Sequence, residues 1–126
     1  MAVRNRLLIV DDEPSVARVI ETVARELGFE VAAIHASEEF ETALSQLDPT
    51  IICLDITMPD RDGVELIAAL AARSYPGKIV VMSGSHPSYI QMSAVIGKTR
   101  GLQIAGTLSK PFRRQELTTL LESLMT

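Results

Sequence analysis

The sequence predicts an α/β fold, a doubly wound five-stranded parallel sheet with five helices covering its two faces. Three observations predict it. Short apolar runs alternate with stretches whose apolar residues recur every three or four positions. Within the runs the apolar residues are nearly continuous, the pattern of strands covered on both faces. Reactive polar residues stand directly after the runs, where an open α/β sheet presents its ligand-binding edge. With 126 residues the chain can form one core and is too short for two ordinary domains, so one domain over residues 1–126 is expected.

The first strand is Arg6-Leu7-Leu8-Ile9-Val10, cut off by Asp11-Asp12-Glu13-Pro14. From Pro14 to Leu27 the apolar positions Val16, Val19, Ile20, Val23 and Leu27 define an amphipathic helix. Pro14 suits its first turn and Gly28 its C-terminal stop. Phe29–Ile34 is the second strand, and a second helix begins at Ser37 and runs to about Leu47, with Phe40, Ala43, Leu44 and Leu47 as its stripe. Asp48-Pro49 breaks that helix, and Ile51–Leu54 is a third buried strand ending at Asp55. A loop, Ile56–Gly63, leads into a third helix from about Gly63 to Arg73, with Val64, Ile67, Ala68 and Ala71 expected inward. Tyr75-Pro76-Gly77 is a turn, and Lys78–Met82 is the fourth strand, followed by Ser83-Gly84-Ser85. The fourth helix starts at Pro87 and ends by Gly101, with weak boundary signals. Gln103–Leu108 holds the fifth strand. After the loop Ser109-Lys110-Pro111-Phe112, a last helix runs from Arg113 to Met125 on Leu117, Leu120, Leu121 and Leu124.

The composition, 47% apolar and 22% charged, is that of a soluble globular protein. A net charge of −4 argues against direct nucleic-acid binding and against adhesion to anionic membranes. No apolar run reaches the ~18 residues of a membrane span, and no leader pattern occurs, so a cytoplasmic protein is expected. The single cysteine, Cys53, lies in an apolar run and reads as a small buried hydrophobe. His35 and His86 stand alone and read as surface residues. Met58 and Pro59 shape the loop after Asp55, Asp60 and Asp62 are solvated turn residues, and Met82 belongs to the core.

The residues that interrupt the apolar pattern form one chemical set. Asp11 and Asp12 follow strand one, Asp55 ends strand three, Ser83 follows strand four and Lys110 follows strand five. Three clustered carboxylates repel, each pair by about 4 kcal/mol at ~4 Å and an effective dielectric near 20. Protonation or a cation must relieve that repulsion. Oxygen-only ligands in an incomplete cage suit Mg²⁺. A carboxylate beside such an ion can attack phosphorus, a lysine can balance the charge that develops, and a hydroxyl can hydrogen-bond a phosphoryl oxygen.

The strings Leu8-Ile9-Val10-Asp11-Asp12-Glu13, Leu54-Asp55-Ile56-Thr57-Met58-Pro59-Asp60-x-Asp62-Gly63, Val81-Met82-Ser83-Gly84 and Ser109-Lys110-Pro111-Phe112 resemble, in order and over nearly the whole chain, the receiver domains of two-component response regulators. The resemblance implies a flavodoxin-like strand order of 2-1-3-4-5. It implies that Asp55 is the phosphoacceptor, and that Asp12, Asp55 and the Thr57 backbone carbonyl bind Mg²⁺ directly, with Asp11 acting mainly through water. Lys110 would pair with the phosphoryl group, Ser83 would be the switch hydroxyl, and Lys110–Pro111 would be a cis peptide. The partners implied are a histidine kinase or a histidine phosphotransfer protein, together with an output protein that the sequence does not identify. Helix four, strand five and helix five would offer a partner or phosphorylation-dependent dimer surface, with Tyr89, Ile90 and Ile96 as its exposed apolar residues. Enzymatic action would be confined to the domain's own phosphorylation and dephosphorylation.

Two departures stand out. Receivers often carry Tyr or Phe three residues before the lysine, whereas here the residue is Thr107. The interval from Ser83 to Lys110 is also longer than is common, with the excess around Ile96–Gln103. Two other readings compete. The segment Gly101–Pro111 is similar to receivers fused to cyclic-di-GMP phosphodiesterase domains, so the chain could be part of a larger regulator. A Mg²⁺-dependent phosphohydrolase of the haloacid-dehalogenase type also uses an aspartyl nucleophile. Such enzymes place a second Asp two positions after the nucleophile, where this chain has Thr57.

Overall fold

The computed structural model describes residues 5–57, 63–84 and 87–125. The elements are β1 (Arg6–Val10), α1 (Pro14–Glu26), β2 (Glu30–Ile34), a 3₁₀ turn (Ser37–Glu39), α2 (Phe40–Leu47), β3 (Ile51–Asp55), α3 (Gly63–Ala72), β4 (Lys78–Ser83), α4 (Pro87–Thr99), β5 (Gln103–Ser109) and α5 (Arg114–Leu124). The five strands form one parallel sheet in the order β2-β1-β3-β4-β5. This is the flavodoxin-like order. No described helix is long and apolar enough to cross a membrane.

The strand period of two divides the core into two layers. Leu8, Val10, Ile52, Leu54, Ile79 and Val81 face one side, where Phe40 and Leu44 of α2, Leu66 and Leu70 of α3 and Ile90 of α4 cover them. Leu7, Ile9, Ile51, Cys53, Val80 and Met82 face the other, under Ile20 and Val23 of α1 and Leu117 and Leu121 of α5. Every residue of β3 is buried, as expected for a central strand with helices above and below. Cys53 lies in this core, and burial pushes its thiol up to about 12.

Helix ends follow local chemistry. Gly28 takes a left-handed φ of +97° just beyond α1, a conformation that costs a glycine little. The second helix is shorter than its sequence pattern suggests, because Ser37–Glu39 form a separate 3₁₀ turn before α2. Two apolar stripes also differ from expectation. Val19 is 42% exposed, and the buried face of α1 is Ala17, Ile20, Val23 and Ala24. In α3 the buried residues are Gly63, Leu66, Ile67 and Leu70, while Val64, Ala68 and Ala71 are only half-buried. The α3 sequence is apolar nearly all round, so periodicity alone does not select its inward face. On α4, Ile90 is buried and Tyr89 and Ile96 are half-buried. The exposed apolar residues there are Met92 and Val95.

Strand β5 carries an irregularity. Ile79 pairs with Ile104 but Val80 pairs with Gly106, so Ala105 is an extra residue in the ladder. The bulge absorbs one residue of the long Ser83–Lys110 interval. Its consequence is a change of phase that places Thr107 beside Val81 and Ser109 beside Ser83.

The contrast between core and stripe gives a direct test. Leu54→Ala should destabilise the domain by about 2–5 kcal/mol, whereas Val19→Ala should change stability by less than about 0.5 kcal/mol. Urea unfolding followed by circular dichroism checks both values.

Candidate functional site

The C-terminal edge of the sheet gathers the reactive residues by pleat phase. Asp11 continues the series Leu7, Ile9; Asp55 continues Ile51, Cys53; Lys110 continues Leu108. All three therefore emerge on the α1/α5 side of the sheet. Ser83 continues Ile79 and Val81, so it belongs to the opposite phase. Thr107, opposite Val81, shares that phase and is exposed.

Asp11 and Asp55 are 0% and 1% exposed. Lys110 Nζ lies 2.8 Å from Asp11 Oδ2, 2.9 Å from Glu13 Oε1 and 3.2 Å from Asp55 Oδ2. It donates hydrogen bonds to Glu13 and Asp55. Its contact with Asp11 Oδ2 is the shortest of the three, and Lys110 is the partner of that buried oxygen. The Lys110–Pro111 peptide is cis, and the Lys110 amide donates to the Ser83 carbonyl at 2.9 Å. This bond ties the lysine to the end of β4.

The two buried acids share a local device. The Glu13 amide donates to Asp11 Oδ1 at 2.9 Å, and the Thr57 amide donates to Asp55 Oδ1 at 2.9 Å. Each is a turn in which an aspartate accepts from the amide two residues on. Thr57 adds its hydroxyl to the same Asp55 oxygen at 2.8 Å. The acids consequently titrate in opposite directions. Burial raises the Asp55 pKa, but the Thr57 amide and hydroxyl, together with Lys110, outweigh it and hold the carboxyl below its ordinary value. For Asp11 burial wins over Lys110 and the Glu13 amide, and the pKa rises. Asp12 is half-buried and is raised by burial and by the field of Asp55. Burial works against the Lys110 charge, yet Asp11, Glu13 and Asp55 together raise its pKa above the ordinary lysine value.

One carboxylate oxygen from each of Asp11, Asp12, Glu13 and Asp55 fits within a sphere of mutual distances below 4.8 Å. Four carboxylates around one ammonium leave excess negative charge. This gives an all-oxygen donor set that fits a hard divalent cation.

Sequence reasoning identified Asp11, Asp12, Asp55 and Lys110, and the structure brings these four together. Ser83 is fully buried at the end of β4. The sequence points to no role for Glu13, and for the Thr57 side chain it offers either an influence on water access to a phosphoryl group or a plain loop threonine, not the hydrogen bond to Asp55. An acid directly before a helix also reads as an N-terminal dipole partner, and only the fold shows Glu13 reaching a lysine 97 positions away. His35 is exposed and its Nδ1 donates to the Asp11 carbonyl at 2.9 Å, which fixes the ring tautomer. His86, Met58, Pro59, Asp60 and Asp62 lie outside the described residues.

The fold is a doubly wound sheet with a lysine-centred acidic pocket at its C-terminal edge. The chain belongs to the response regulator receiver domain family, whose model matches residues 7–122. Its sequence is 32% identical over 114 residues to the DNA-binding response regulator MtrA of Mycolicibacterium smegmatis, covering 90% of this chain and 47% of that protein. It is 29% identical to the cell cycle response regulator CtrA of Brucella ovis, covering 89% of this chain and 46% of that protein. The chain thus spans about half the length of the curated relatives it matches. A crystal structure of a response regulator from Colwellia psychrerythraea superposes with a TM-score of 0.84 at 32% identity, over 97% of each chain. A receiver domain from Bermanella marisrubri gives 0.81 at 30%, over 97% of this chain and 98% of that one.

The Thr57 hydroxyl can be tested in the metal-free protein. In Thr57→Val the Asp55 pKa should move up toward the ordinary carboxylate range, as read by carboxyl ¹³C titration. A depressed pKa contributes stability above the unfolded-state value and loses it as pH falls through the folded-state value. The variant should therefore be less stable by about 1 kcal/mol at neutral pH, and the gap should close in acid.

Proposed function

We propose that this chain is one receiver domain over residues 1–126. In this reading it accepts a phosphoryl group on Asp55 from a histidine kinase or a histidine phosphotransfer protein and changes its partner binding in response. The observation that carries the reading is the state of Asp55. It is almost dry, yet the Thr57 donors and Lys110 keep it ionised. An ionised carboxylate needs no general base. One Asp55 oxygen gives an electron pair to phosphorus as the bond from phosphorus to the donor breaks, and that bond's electrons leave with the donor. Lys110 Nζ stands 3.2 Å from Asp55 Oδ2 and balances charge on the equatorial oxygens.

The assigned roles extend to the metal and the switch. Asp12, Asp55 and the Thr57 backbone carbonyl would hold Mg²⁺, with Asp11 acting mainly through water. The bound ion supplies charge neutralisation of the phosphoryl oxygens. Ser83, at the end of β4 where its carbonyl accepts from the Lys110 amide, is the hydroxyl assigned to turn toward the phosphoryl group, and Thr107 stands in the position often filled by an aromatic ring. Catalysis is limited to the domain's own phosphorylation and dephosphorylation. A full shift of a two-state equilibrium from 1:99 to 99:1 needs about 5.5 kcal/mol. A phosphoryl charge of about −1.5 to −2 beside Lys110 is of the right kind to supply much of it.

The printed name of the MtrA relative assigns it DNA binding. With a net charge of −4, this chain fits a regulatory role better than direct contact with nucleic acid. Output would come from a separate protein or a further segment of a larger regulator, with dimerisation on phosphorylation as one means.

Incubation with Mg²⁺ and acetyl phosphate should add one phosphoryl group by intact mass, with no gain in Asp55→Asn or when EDTA is present. If a panel of histidine kinases also leaves Asp55 unmodified, the phosphoacceptor reading is wrong. Mg²⁺ alone should raise the thermal midpoint. At ten times its Kd the gain is about 1.4 kcal/mol, or roughly 3–6 °C for a domain of this size. Asp12→Asn should lose most of that gain.

A further inference from the structure

Glu13 has a position that its place in the helix does not explain. It is the N-cap of α1, with extended φ and ψ of −96° and 104°, yet its side chain makes no capping hydrogen bond. Its amide is pinned to Asp11 Oδ1, so the backbone is fixed to the acidic pocket. The carboxylate turns instead to Lys110 Nζ at 2.9 Å, while its side chain stays 56% exposed.

A lysine ammonium has three donors and no acceptor. Three carboxylate oxygens surround that of Lys110, from Asp11, Glu13 and Asp55. A phosphoryl oxygen on Asp55 needs a share of this ammonium. Asp11 is buried and cannot turn to water, whereas Glu13 is half in water and can. Once Asp55 carries a phosphoryl group, the Glu13 carboxylate becomes a like charge competing for the same cation.

The geometry points to Glu13 as a positioning residue that competes with the phosphoryl group for Lys110 and so favours the unphosphorylated state. This inference rests on the reading of Asp55 as the phosphoacceptor. Glu13 acts through the lysine rather than through the cation-binding oxygens it borders: it slows acceptance from small anionic donors and shortens the life of the phosphorylated form. The simpler view is an exposed ion pair beside a helix N-terminus, which stabilises the fold slightly and leaves the rates alone.

The two views separate in a time course of intact mass with Mg²⁺ and acetyl phosphate. The proteins compared are wild type, Glu13→Gln and Glu122→Gln. The last makes the same change in net charge on an exposed residue in the final turn of α5. Glu13→Gln should accept the phosphoryl group about two- to fivefold faster and lose it more slowly by a similar factor, the size expected for release of one exposed ion pair. The gain should appear as a higher maximal rate at saturating Mg²⁺, and Glu122→Gln should match wild type. Unchanged or slower acceptance by Glu13→Gln overturns the inference. So does an equal gain in Glu122→Gln, or a gain that comes only from a lower Mg²⁺ requirement. A wild type that stays unmodified overturns the phosphoacceptor reading and this inference with it.

Discussion

Two carboxylates, Asp11 and Asp55, are held nearly out of water beside one ammonium, and the rest of the site follows from how that charge is kept. Burying a charge is costly unless hydrogen bonds and a partner compensate. Both aspartates use the same turn, accepting from the amide two residues on. The difference lies in the residue that closes the turn. Thr57 adds a hydroxyl to Asp55, whereas Glu13 adds nothing to Asp11 and sends its side chain to Lys110. Asp55 is thereby stabilised as an anion, the state a nucleophile requires. Asp11 has the Glu13 amide and Lys110 as partners but no hydroxyl, and burial outweighs them. One turn geometry with two different closing residues yields two buried carboxylates with opposite pKa shifts side by side.

The sheet makes this arrangement possible through its period of two. A one-residue change of phase in β3 would carry Asp55 to the opposite face, away from Lys110. Register is fixed where both faces are buried, and β3 is buried at every position. The chemistry is thus anchored to the most constrained strand of the molecule. The exposed strand, β5, tolerates the extra residue Ala105, and the bulge restores the phase that Lys110 requires by the time the chain reaches it.

This division also explains what the sequence makes legible. The continuous apolar runs Leu7–Val10 and Ile51–Leu54 end abruptly in acids, so strands, order of elements and the main site residues can be read directly. The stripe of α3 cannot be read, because Val64, Leu66, Ile67 and Leu70 are all apolar and only packing selects among them. Val19 satisfies the helical period yet faces outward, since Ala17 and Ala24 let α1 approach the sheet along a neighbouring line. Glu13 is hidden for a different reason. An acid before a helix has a sufficient local explanation, and a contact spanning 97 residues leaves no local trace. The Thr57 hydroxyl is hidden likewise, because a threonine in a loop has many uses.

The same phase argument separates two groups of residues at the sheet edge. Asp55 and Lys110 lie on the α1/α5 side, while Ser83 and Thr107 lie on the side that α4 covers. With Thr107 in place of a ring, no large side chain at that position can move between pockets. Helix α4 covers that side, packed against β4, β5 and α3. Its buried face consists of Ile90, Ser93, Ala94 and Gly97, mostly small residues that bury little apolar area. Ser93 Oγ is buried there without a hydrogen-bond partner, an energetic cost that the present packing does not relieve. Met92 and Val95 face solvent on the same helix. A β-carbon on Gly97 would come within 2.7 Å of Ile104, so α4 rests on β5 through a glycine rather than an interlocking side chain. The seat of α4 on β5 is close, with a glycine at the nearest approach and Tyr89 and Ile96 packed beside Ile90 against the core. The side opposite Asp55 and Lys110 thus pairs a small exposed hydroxyl at position 107 with a helix seated closely on β5.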